Sequence, residues 1–125
     1  MPLRTRCWND PPEPGDGFRL LICRFRPRGV SKPDETWDDW WPRLGPSREL
    51  HAAYYGKTGE AIGWDEYRKR YLDEMKAQWI GIASLAKRVR AGETVTLLCS
   101  SACEDAEKCH RTLLAGLIAE AMREA

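Results

Sequence analysis

Between residues 64 and 89 apolar side chains recur at steps of three and four, through Trp64, Tyr67, Tyr71, Met75, Trp79, Ile82, Leu85 and Val89. That spacing holds them on one face of a helix. Gly92 suits the left-handed position that closes it. Such a helix of about 28 residues would run about 42 Å, so a bend near Gly81 is expected. Two short stretches follow a different rhythm. Phe18–Phe25 contains the unbroken apolar run Leu20-Leu21-Ile22-Cys23, and Thr94–Cys99 contains Val95, Leu97 and Leu98. Runs of this length suit strands covered on both faces.

The remaining segments fill in around these. Residues 3–8 alternate loosely, with Arg4 and Arg6 charging one face, as suits an edge strand. Asn9–Gly17 carries three prolines and two glycines among acids and reads as a loop. Pro27 stops the second strand and Gly29 permits a sharp turn. Trp37, Trp40 and Trp41 stand at i, i+3 and i+4, which predicts a helix over Pro33–Trp41 that Pro42 terminates. Ser47 is placed to cap a short helix ending near Tyr55, and Gly56–Gly63 is a loop. A last helix packs through Leu113, Leu114, Leu117, Ile118, Ala121 and Met122. Apolar strands separated by helices define an α/β fold. The expectation is a single compact domain over residues 1–125, with a small, mostly parallel sheet flanked by helices.

Composition narrows the function classes. Hydrophobic residues make up 42% and charged residues 31%, so the chain has the means to build a core. The net charge of +1 selects neither nucleic acid nor a membrane surface, so any functional positive charge must be local. No apolar run approaches the roughly 20 residues of a membrane span, and Met1–Asp10 lacks the apolar core of a signal peptide. Five cysteines, an odd number, argue against a disulfide framework. A reducing, cytoplasmic setting is expected, with thiols that are packed, reactive or metal-bound.

The densest chemistry lies at the junction between the last strand and the last helix. Cys99, Cys103, Cys109, His110 and Arg111 fall there, together with Ser100 and Ser101. In α/β folds, ligands bind at the carboxyl ends of strands and the amino ends of helices. Ser101-Ala-Cys-Glu104 fits a capping pattern, and Asp105 is an alternative cap. Either places Cys103 where a thiol is activated as a nucleophile. His110 is the residue suited to move a proton near neutral pH. Their plainer readings are a loop thiol and an extension of the final helix's apolar face, with Arg111 paired to Glu107. Cys99, Cys103, Cys109 and His110 also make a three-cysteine, one-histidine donor set for zinc. Its spacing is unlike the usual short ligand pairs, and no cofactor is required by the pattern. Arg24, Arg26 and Arg28 follow the second strand. If the two apolar strands are parallel neighbours, those arginines share an edge with the cysteine turn, where Lys32 and Arg43 could add charge. Such a pocket suits a phosphate, sulfate or carboxylate group.

The blocks FRLLICRFRPRGVSK, WDDWWPRLGPSRELHAAY, YRKRYLDEM and TVTLLCSSACEDAEKCHR, in that order, resemble the domain of unknown function 488 family, including its YeaO-like branch. Pro27-Arg28-Gly29 matches that branch's turn, and Pro46, Ser47, Glu49 and Leu50 match its Pro-Ser-x-Glu-Leu segment. The resemblance implies a compact, cytoplasmic α/β domain of bacterial or archaeal type, without an assigned activity. Cys109 departs from the asparagine usual in that branch, which leaves His110 and Arg28 as the better-supported site residues.

Three readings compete. The first is a domain binding a small anionic ligand, acting as an enzyme on a phosphorylated or carboxylated compound. In it Arg26 and Arg28 hold the anion, Arg24, Arg111, Ser100 and Ser101 assist, His110 moves a proton and Cys103 is an optional nucleophile. The second is a nucleic-acid or protein-binding module using the arginine turn and exposed tryptophans. The third is a thiol-based redox or metal sensor.

Overall fold

In the computed structural model, which describes residues 3–99 and 109–124, four parallel strands form one sheet. They are β1 (Leu3–Cys7), β2 (Phe18–Leu21), β3 (Asp39–Trp40) and β4 (Val95–Cys99), in the order β1-β4-β2-β3. The two apolar runs are indeed parallel neighbours, with Leu20 opposite Leu97 and Leu21 opposite Leu98. The charged first strand takes an edge, with Cys7 opposite Cys99. Every residue of β4 is buried, Thr96 included, as its place between β1 and β2 requires.

The helices are α1 (Arg48–Tyr54), α2 (Trp64–Glu74), α3 (Trp79–Arg90) and α4 (His110–Glu124). Leu50, Tyr71, Leu85 and Leu114, one from each helix, pack in a single cluster with Leu20, Ile22, Val95 and Leu97. These strand positions alternate along the chain and therefore share one face of the sheet. The opposite face carries Leu21 and Leu98, which pack with Trp37 and Cys23 in a second cluster bordered by Trp8. The helices thus cover one face and loops cover the other.

Two expected elements differ. Pro33–Trp41 is not a helix: a single 3₁₀ turn occupies Lys32–Asp34, and the chain then extends into β3. Asp38 N–H donates to Arg19 O at 2.7 Å and Trp41 N–H to Leu21 O at 2.9 Å, so this backbone is committed to β2. The helical spacing of the tryptophans was fortuitous. Trp37 is buried edge-on against Trp8, whereas Trp40 Nε1–H donates to Cys23 O and Trp41 Nε1–H to Asp39. The long helix does break, but at a 3₁₀ turn over Met75–Gln78 rather than at Gly81. No helix-breaking residue stands there. Met75 is buried, and the Glu74 carboxylate accepts from Ser47 N–H and Ser47 Oγ–H, fixing the end of α2 to the start of α1. The corner leaves Trp79 and Ile80 exposed.

Other local signals act as expected. Ser47 Oγ accepts from Leu50 N–H and caps α1. Gly29 and Gly92 adopt φ of 76° and 96°, where a side chain would be strained. Among the described residues, no helix is long and apolar enough to cross a membrane.

Candidate functional site at the carboxyl edge of the sheet

Because all strands run the same way, the residues that end them meet at one edge. Cys7 closes β1, Cys99 closes β4, Cys23 lies just past β2, and Cys109, His110 and Arg111 lead into α4. Cys99 and Cys109 are buried, and the Cys109 thiol donates to Cys99 Sγ at 3.0 Å. His110, also buried, lies with Nε2 2.9 Å from Ile22 O and Nδ1 3.8 Å from Cys99 Sγ. A carbonyl oxygen only accepts, so Nε2 carries the proton of the neutral ring and Nδ1 bears the lone pair. The ligand atoms of Cys99, Cys109 and His110 all lie within 4.8 Å of one another.

Adjacent residues within a helix point about 100° apart, but Cys109 and His110 are not both helical. Cys109 lies just before α4, where helical geometry does not set its direction. Tyr71 packs against the His110 ring at 5.6 Å, with its hydroxyl donating to Leu44 O. Burial, reinforced by the sulfurs of Cys109 and Cys99 and by Glu74, holds the Tyr71 phenol well above its ordinary range, so it stays neutral.

Arg111 is only 7% exposed and reaches across to β1, where Nη1–H donates to Cys7 Sγ at 3.1 Å. Its buried Nε–H has no hydrogen-bond partner among the described residues. Burial pulls its pKa down, but the contact with Cys7 and the sulfurs of Cys109 and Cys99 outweigh this and hold it above its ordinary value. The guanidinium is therefore charged. Cys7 was absent from the expected site. The signal that could have found it is strand register, since β1 and β4 both end in cysteine and those two cysteines are partners.

The arginine turn is less available than its sequence suggested. Arg26 is clamped by Glu35 at 2.7 Å and by Val30 O at 2.8 Å, with its guanidinium 5.3 Å from the centre of the Trp37 ring. Arg24 Nη1–H reaches Pro42 O at 3.5 Å. Arg28, Lys32 and Arg43 are exposed. Cys103, Ser100, Ser101, the caps at Ser101 and Asp105, and Glu107 lie outside the described residues. The tryptophans that the binding-module reading would expose are largely built into the protein: Trp37 is buried and Trp40 and Trp41 partly so. The large exposed aromatics are Phe25, Tyr55 and Trp79. A groove along α2 holds none of the candidate residues, and some of its charges pair with each other, Glu66 with Arg70 and Asp73 with Lys76.

The fold and this edge together define a small all-parallel α/β protein with thiols, an imidazole and a buried guanidinium at the strand ends. Residues 3–122 match the family described as the active DUF488-N3 subclade, DUF488-N3a. The chain is 33% identical to the uncharacterized protein YeaO of Escherichia coli K12 over 104 residues, covering 81% of this chain and 84% of that one. It is also 33% identical over 63 residues to the uncharacterized proteins Mb3100c of Mycobacterium bovis and Rv3073c of Mycobacterium tuberculosis, covering half of this chain and 51% of each. The chain belongs to the DUF488 family, on its YeaO-like branch. No solved structure matches it.

Proposed function

We propose that residues 1–125 act as one domain, in a reducing cytoplasmic setting, that takes a small phosphorylated or carboxylated compound at the carboxyl edge of the sheet and processes it there. Arg111 holds the anion, Arg28 contributes charge at the rim, and His110 with the neighbouring thiols supplies proton-transfer and nucleophilic groups. Arg26 has a smaller part than the sequence suggested, because Glu35 already answers its charge. The observation that carries the reading is the Nε–H of a buried, charged Arg111, which has no hydrogen-bond partner among the described residues. Leaving a buried donor unpaired costs about 1–3 kcal/mol, and more on a charged group. An oxyanion meets both that donor and that charge.

The test is thermal melting of the reduced protein in rising phosphate, sulfate or small carboxylates. A ligand at 100 times its dissociation constant stabilises by about 2.7 kcal/mol. Wild type is expected to show a saturable rise in Tm that Arg111→Met abolishes and Arg28→Ala reduces. Equal shifts in all three proteins would remove the reading.

A further inference from the structure

We propose that Cys99, Cys109 and His110 form a binding site for one divalent cation of the zinc class. The site goes beyond the anion reading and shares His110 and the neighbouring thiols with it, but not the arginines that hold the anion, so the cobalt titration and the anion-dependent melting shift can fail separately.

Two sulfurs and one imidazole nitrogen are the donor types that zinc selects. Their ligand atoms already lie within 4.8 Å of one another, on residues held by the end of β4 and the start of α4. In a tetrahedral zinc site, with bonds of about 2.3 Å to sulfur and 2.0–2.1 Å to nitrogen, the sulfurs stand about 3.8 Å apart and sulfur and nitrogen about 3.6 Å. Here Cys99 and Cys109 Sγ are 3.0 Å apart, and Cys99 Sγ is 3.8 Å from His110 Nδ1. Loading the ion therefore requires the sulfurs to spread by less than 1 Å and the third pair, Cys109 Sγ and the His110 nitrogen, to come to about 3.6 Å from a separation of no more than 4.8 Å.

The imidazole is the informative member. Metal-ligating histidines donate their other ring N–H to a carbonyl or carboxylate, which fixes the tautomer and ring orientation. His110 does this through Ile22 O at 2.9 Å, so the nitrogen facing Cys99 is the one able to bind a metal. Packing alone accounts for two buried sulfurs. The anchored imidazole adds a nitrogen presented to one of them, a geometry shared by a thiol–imidazole hydrogen bond and by two ligands of one ion. Charge is also compatible, because two thiolates neutralise a divalent cation and leave no net charge beside the Arg111 guanidinium.

The experiment is titration of the full-length reduced protein with cobalt(II), followed by displacement with zinc(II). The expected result is one equivalent bound, with a thiolate-to-cobalt absorption band in the near ultraviolet and the visible bands of tetrahedral cobalt. Cys109→Ser and His110→Gln should each weaken binding by at least the roughly 100-fold seen at the upper end for outer-shell changes. Cys23→Ser, another buried cysteine of the same cluster but outside the donor set, should bind as wild type does. Circular dichroism on each variant separates loss of a ligand from loss of the fold, and the wild-type titration stands without any variant. Absence of the charge-transfer band in wild type, or its persistence in both Cys109→Ser and His110→Gln, would overturn the proposal.

Discussion

Two buried polar clusters sit against the same sheet, and they differ in completeness. One lies beneath the loop that carries the chain from the end of β1 back to the start of β2. At its centre is Asp16, 1% exposed, whose carboxylate accepts from Arg19, Arg4, Arg6 and Glu13 N–H, while its backbone oxygen accepts from Thr96 Oγ–H. Arg19, equally buried, is further held by Thr36 O and Asp10 O. The other cluster is the carboxyl edge, where Arg111 donates to the Cys7 sulfur and its Nε–H has no partner among the described residues. A buried ionic network that saturates its own donors and acceptors holds the fold together. One that leaves a charged donor open among the described residues is the cluster on which the proposed anion site rests.

The largest effect should come from breaking the complete cluster. Asp16→Asn removes the charge that faces Arg19, and stranding a buried guanidinium costs about 3–5 kcal/mol. Urea denaturation should show that loss in the midpoint, and a change under 1 kcal/mol would show that water or rearrangement replaces the carboxylate. Acid sharpens the same point. Burial raises the Asp16 pKa, but the Glu13 amide and the Arg19 and Arg6 guanidinium groups outweigh this and hold it below the ordinary carboxylate value. A depressed folded-state pKa contributes stability that is complete above the unfolded value of about 3.9 and is lost as pH falls through the folded one. Melting temperature measured from pH 5 downward should therefore fall more steeply in wild type than in Asp16→Asn.

Arg111→Met should be milder. Replacing a buried charge by an apolar chain of similar volume is often neutral or stabilising, so a change within about 1 kcal/mol is expected alongside loss of the anion response. A loss as large as that of Asp16→Asn would make the carboxyl edge structural and erase the contrast. Smallest of all should be Arg26→Ala. Its pair with Glu35 is partly exposed, so the cost should be below about 1 kcal/mol, with the anion-dependent Tm shift largely kept.

Much of the fold was legible in the chain. The apolar runs of β2 and β4 announce buried strands, the Arg4 and Arg6 alternation an edge, and Ser47 and Gly92 their helix ends. These signals are local, because periodicity and capping act within one element. The segment at 37–41 misled for a non-local reason: its backbone bonds with β2, and spacing alone cannot show where a tryptophan will pack. The break at Met75–Gln78 was misplaced likewise, since Glu74 and Ser47 decide it from different elements.

The candidate site divides along the same line. The sequence by itself determined that thiols, an imidazole and an arginine crowd the approach to the last helix, and that strand ends would carry them. Only the tertiary structure decided that β1 delivers Cys7 to the same edge, that Ile22 O orients His110, that Glu35 occupies Arg26 and that Arg111 turns inward. Those contacts join residues up to 104 positions apart, and strand order, which no local pattern encodes, is what brings them together.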